Sequence, residues 1–178
     1  MSDTLKKQFT RLYTDESDAV FRFCFLRTSD RDVAIDIMQD TFMRFWEVYA
    51  RQEEVIESKR AFLFAIARNR IIDWYRKKKS PSLDALVEKA GAEGETFKDT
   101  TQVENIEMAA EAKSLIEKIG ELDPLYQQVV YLRYVEDLEP REIAEILGET
   151  ANVISVRLHR GLKQLRAVAG YDEEKHGT

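Results

Sequence analysis

Residues 139–168, EPREIAEILGETANVISVRLHRGLKQLRAV, decide how this chain folds. Pro140 suits the first position of a helix, where its missing N–H is no loss, and Glu139 or a neighbour can cap that end. Ile143, Ala144 and Leu147 then share one face, and Gly148 stops the helix. After a short turn a second helix begins near Ala151 or Asn152, with Asn152 a plausible cap. Ile154, Leu158, Gly161 and Leu165 recur at helical spacing and form its buried stripe, while Asn152, Ser155, Val156, His159, Lys163 and Arg166 lie away from it. A short helix, a glycine turn and a longer helix make the helix-turn-helix pattern.

The second helix is strongly basic. Residues 151–166 hold three arginines, one lysine and one histidine and no acid, in a chain of 178 residues whose net charge is −6. The acidity lies elsewhere: residues 80–112 carry eight acids against two bases, which leaves 25 of each sign in the remainder. That segment opens on Ser-Pro-Ser, contains two glycines and has weak apolar periodicity. It reads as a flexible acidic linker whose last residues start the next helix. The basic helix therefore belongs to a neutral remainder that can face DNA. Its hydrogen-bonding groups near the helix start can reach base edges, Val156 can meet a thymine methyl, and its Lys and Arg can neutralise phosphates.

Upstream, residues 31–50 place Ala34, Met38, Thr41, Phe42, Phe45 and Tyr49 on one helical stripe, with Ser29 or Asp30 as the cap. Asp36, Asp40, Met43 and Glu47 fall on another face. Residues 60–79 form a second helix with core positions Leu63, Ile66, Ala67, Ile71 and Trp74, and with seven bases against one acid. An earlier helix over roughly residues 5–27 completes this domain. Past the linker, residues 107–120 form a helix ended by Gly120, and Asp123 with Pro124 starts the next. The fold class is all-α: a helical domain over 1–79, a linker over 80–112, a helix-turn-helix domain over 113–171 and a tail over 172–178.

Other classes find little support. No apolar run is long enough to span a membrane, and the N-terminus lacks a signal-peptide core. One cysteine, Cys24, in an apolar run reads as a buried thiol, with a reducing cytoplasm as the default location. Two dispersed histidines give no zinc spacing, and no phosphate-cradling glycine loop appears, so neither a metal, a cofactor nor an enzymatic role is expected. A stand-alone helix-turn-helix regulator would explain the C-terminal half, but it leaves the basic, aromatic helix of the first domain without a purpose.

Two segments together resemble the bacterial sigma factors of the extracytoplasmic-function (ECF) group. DVAIDIMQDTFMRFWE followed by AFLFAIARNRIIDWYRKKK is similar to the family's second domain, and LDPLYQQVVYLRYVEDLEPREIAEILG through RLHRGLKQLR to its fourth. The resemblance implies a transcription initiation factor that binds core RNA polymerase. By it, Asp36, Gln39, Asp40, Met43 and Glu47 correspond to the face that docks on the β′ clamp helices. Phe62, Arg68, Asn69, Asp73, Arg76 and Lys77 sit where the family reads and opens the −10 element, with Arg70, Lys78 and Lys79 adding phosphate contacts. Asn152, Ser155, Val156, His159, Arg160, Lys163 and Arg166 fall on the reader of the −35 element. The helix around Leu125–Tyr134 and the tail beyond Arg166 would touch the β flap, and an anti-sigma protein is the usual further partner. Phe62 stands where a Trp is common, and Gly161 replaces a frequent Ala, which would weaken the helix by up to ~1 kcal/mol.

Overall fold

The first bundle grows from three long amphipathic helices, α1 (Asp3–Thr28), α2 (Arg31–Arg51) and α3 (Lys59–Lys78). The computed structural model describes residues 3–51, 55–78 and 94–171. The bundle core is largely aromatic: Phe23, Phe45, Leu63, Phe64, Ala67 and Ile71 are all buried. Asp30, rather than Ser29, caps α2, its Oδ1 accepting from the Val33 N–H at 3.1 Å. Ser29 instead turns the chain in the left-handed region, φ 52°. Cys24 is buried as expected. The expected stripe of α3 is shifted by one residue at its end. Tyr75 is buried and donates its hydroxyl to the Arg27 carbonyl, while Trp74 is only half-buried, with the Lys78 ammonium 4.8 Å from its ring centroid.

The second bundle comprises α4 (Ala110–Gly120), α5 (Pro124–Tyr134), α6 (Pro140–Leu147) and α7 (Ala151–Val168). Its caps refine the sequence reading. Asp123 precedes α5, but its carboxylate accepts from Gln164 Nε2 at 2.7 Å rather than capping the helix. Glu139 starts α6, its N–H donating to Glu142 Oε2 at 2.8 Å. Gly148 closes that helix at φ 65°, the left-handed conformation in which a side chain is disfavoured. Thr150 caps α7, its Oγ1 accepting from the Val153 N–H at 3.2 Å, so Asn152 lies inside the helix and not at its cap. Gly161 lets α7 approach α5: a Cβ there would stand 2.6 Å from Val130 Cγ2 and 3.1 Å from Tyr126 Cβ. Its lost helix propensity is the condition of close packing.

The flexible linker expected over 80–112 is corrected where the structure describes it; residues 80–93 and the tail 172–178 lie outside the described residues. Residues 94–112 pack against both bundles. Gly94 lies against Ile72 of α3, and a 3-10 helix spans Thr100–Asn105, capped by Asp99. Phe97, Val103 and Ile106 are buried. Each such apolar anchor contributes about 1.5–3 kcal/mol. Their irregular spacing follows a 3-10 turn and loops, which is why no helical or strand period marked them.

One apolar cluster runs through both bundles. Phe97 joins them, its ring edge-on to Tyr131 of α5 at 5.3 Å and its N–H donating to Gln127 Oε1 at 3.1 Å. The wholly buried Arg27 lies 3.7 Å over the Phe23 ring and faces Phe97 and Tyr131 at 5.3 and 5.4 Å. Only its Nη1 has a hydrogen-bond partner, the Phe23 carbonyl at 2.8 Å; Nε and Nη2 have none. Burial pulls its pKa down to about 10, and aromatic faces replace part of its hydration.

Candidate nucleic-acid interface

Helix α7 presents its expected polar face to solvent. Ile154, Leu158, Gly161 and Leu165 are buried, while Asn152, Ser155, Val156, His159, Arg160, Lys163 and Arg166 are exposed. Val156 is 43% exposed and leaves its two methyl groups at the surface of this face. Ser155 Oγ donates to the Ala151 carbonyl at 2.9 Å and keeps its acceptor capacity outward. Arg157 belongs to the scaffold: half-buried, it holds Glu149 of the turn at 2.9 Å and fixes the angle between α6 and α7. The face combines hydrogen-bonding groups in the first turns with cations further along, as reading a groove between two phosphate rows requires.

The residues expected on α3 divide into two groups. Asn69, Arg76 and Lys77 are exposed, and Arg76 pairs with Asp73 one turn back at 3.2 Å. Phe62 is half-buried, one side of its ring packed 5.8 Å from Phe45 and the other bordering a cleft of about 420 Å³. Arg68 is engaged, its Nε donating to Glu95 Oε1 at 2.9 Å. Glu95 comes from the segment read as linker, so sequence reasoning could not foresee this partner. Arg70 is likewise engaged, with Asp40 of α2 at 2.9 Å.

On α2, Asp36, Gln39, Asp40, Met43 and Glu47 share one exposed strip. Met43 is 64% exposed, an apolar centre within a polar surround. Glu47 pairs with Arg44 at 2.9 Å. A flexible thioether ringed by carboxylates suits a protein partner, since it adapts to an apolar surface while the rim sets register.

The residues that sequence reasoning missed join the two bundles. Glu136, in the turn between α5 and α6, receives Arg22, Arg60 and Tyr131. Nothing in its local sequence, RYVEDLE, distinguishes it from a solvated acid. Burial and the adjacent carboxylate raise the Tyr131 pKa well above its usual value, so the phenol stays protonated and donates.

Fold and faces together define a two-bundle, all-α protein of the helix-turn-helix class, with one exposed basic face on α7 and one exposed acidic strip around Met43 on α2. The family described as Sigma-70 region 2 matches residues 12–80, and Sigma-70, region 4 matches residues 112–165. The RNA polymerase sigma factor SigV of Bacillus subtilis is 31% identical over 169 residues, 92% of each chain. The ECF RNA polymerase sigma factor SigW of the same organism is 32% identical over 155 residues, covering 84% of this chain and 82% of that one. The sigma factor RpoE of Bartonella quintana, solved with the anti-sigma factor NepR, shares the fold at a TM-score of 0.64 and 18% identity, over 94% of this chain and 99% of that one. CnrH, solved with the cytosolic domain of CnrY, does so at 0.59 and 18%, over 94% and 91%. The chain belongs to the ECF group of bacterial RNA polymerase sigma factors. No helix among the described residues is long and apolar enough to cross a membrane.

Proposed function

We propose that this chain directs core RNA polymerase to two-element promoters, without a catalytic activity of its own. The observation that carries the reading is the exposed face of α7, where seven expected DNA contacts lie clear of the buried stripe within a sigma region 4 helix-turn-helix. Ser155, Val156, His159 and Arg160 read the −35 element, and Lys163 and Arg166 hold phosphates. In the first domain, Asn69 and the Phe62 cleft receive unpaired bases of the −10 element by amide hydrogen bonding and stacking. Arg76 and Lys77 hold the strand, and Arg68 joins them once released from Glu95.

Core polymerase docks its β′ clamp on the Asp36–Glu47 strip. The β flap meets the helix around Leu125–Tyr134, where both of these side chains are exposed, and the residues beyond Arg166, which border an apolar groove of about 640 Å³ between α4 and α7. RpoE, a fold neighbour, is held by an anti-sigma factor, and we extend such a partner to this chain, acting in the cytoplasm. The test is reconstitution: the purified chain should co-elute with core polymerase in a one-to-one complex and start run-off transcription from a promoter that needs both elements. Tight duplex binding by the chain alone, with no core complex, would overturn the reading.

A further inference from the structure

We infer that a small polar cavity between α1, the start of α2 and the chain leaving the 3-10 helix binds a free α-amino acid with a short apolar side chain. The inference is independent of the promoter reading.

The cavity holds about 230 Å³. At ~30 Å³ for each water displaced, that is room for a ligand of about eight non-hydrogen atoms, well below drug size. Asp18, Phe21 and Arg22 reach it from one face of α1, at helical spacing. Arg31 reaches it from the first turn of α2, and Ile106 and Glu107 from the chain that follows the 3-10 helix. Ile106 is buried and Phe21 half-buried, so they provide an apolar wall. Asp18, Arg31 and Glu107 are exposed and stand at the mouth.

The charges carry the inference. Two cations and two carboxylates surround one small space, yet among the described residues Asp18, Arg31 and Glu107 form no ion pair with each other or with any neighbour. Their donors and acceptors are uncommitted. Arg31 is held in place by a ring instead: its guanidinium lies 5.2 Å from the centroid of Phe21, which itself stacks on Phe25 at 5.7 Å. A cation in the first turn of a helix opposes the helix dipole, and no ion pair offsets it here. Arg22 commits Nε and Nη2 to Glu136 and leaves Nη1 without a hydrogen bond among the described residues.

Such a ring of charges selects its ligand. Phosphate or a nucleotide meets two carboxylates there, and a polyamine or a metal ion meets two guanidinium groups. A zwitterion satisfies both signs. Its carboxylate takes the planar fork of Arg31, with Arg22 Nη1 as a further donor, and its ammonium donates to Asp18 and Glu107. A free α-amino acid carries both charges on one carbon and fits the volume, whereas a peptide carries them at opposite ends. The side chain then rests against Phe21 and Ile106, and L-valine is of the right size.

The experiment titrates L-valine into the full isotope-labelled chain and follows the amide chemical shifts. Amides around Phe21, Arg31 and Ile106 should move and saturate with a dissociation constant of about 1 mM or tighter. L-Valinamide, which lacks the carboxylate, and isovalerate, which lacks the ammonium, should each bind about ten-fold more weakly or worse. Arg31→Gln and Glu107→Gln break no ion pair of the fold, so each should weaken L-valine binding about ten-fold or more while the melting temperature stays unchanged. Shifts confined to other surfaces, no saturation at about twenty times that concentration, equal binding of either derivative, or unaltered affinity in both variants would each overturn the inference.

Discussion

Glu136 receives Arg22 in a paired, nearly parallel contact, Nε to Oε1 at 2.9 Å and Nη2 to Oε2 at 3.0 Å, across 114 residues of sequence. This pair fastens the first bundle to the second. Glu136→Ala leaves two arginines facing a void, and removal of one partner from a buried pair costs about 3–5 kcal/mol. The expected outcome is a melting temperature roughly 10 °C lower in a thermal scan. A change within 2 °C would show that the pair contributes nothing to the native state.

Gly161→Ala tests whether packing or propensity governs α7. Propensity alone predicts a gain of about 1 kcal/mol. The 2.6 Å approach to Val130 Cγ2 predicts a loss of about 1–3 kcal/mol, because both side chains are enclosed. Urea denaturation gives the sign directly, and a more stable variant would refute the close-packing account.

The thiol of Cys24 is raised from its usual range to about 12, chiefly by burial, with the Arg27 cation opposing. Below the unfolded pKa, near 9, both states hold the proton and the contribution is fully present. Between about 9 and 12 the unfolded chain ionises first, so stability should fall as pH rises. Cys24→Ala should flatten that fall in melting curves from pH 8 to 11. Native protein at pH 8 should also leave Ellman's reagent unreacted until denaturant is added.

Gln39 and Met43 are exposed on the α2 strip, and their side chains make no hydrogen bond to another side chain among the described residues. Replacing both with Ala should weaken binding to core polymerase about ten-fold or more while the helical circular dichroism stays unchanged. Asp40 is the less clean choice, since its loss also frees Arg70. Core affinity equal to that of the unaltered chain would remove the docking assignment.

His159→Ala with Arg160→Ala should reduce run-off transcription by about ten-fold or more, at ~1–3 kcal/mol for each good base contact. The loss should vanish on a promoter that lacks an upstream element, and core assembly should persist. An equal loss on both templates would place these residues outside upstream recognition.

The sequence by itself determined the local order of this protein. Helical period fixed the buried stripe of α7 and therefore its exposed face, and Pro140 with Gly148 fixed where α6 begins and ends. Those properties follow from neighbours within four residues, so the pattern carries them. It misread the cap of α7, because Asn152 and Thr150 are both good caps and only the backbone path selects between them. It also assigned Phe97, Val103 and Ile106 to a flexible linker, because irregular loops bury apolar anchors without a period. Only the tertiary structure decided that Glu136 meets Arg22 and Arg60 and that Arg68 is held by Glu95. Such pairings depend on how two bundles meet in space, and the energy that selects them lies in contacts between residues far apart in the chain.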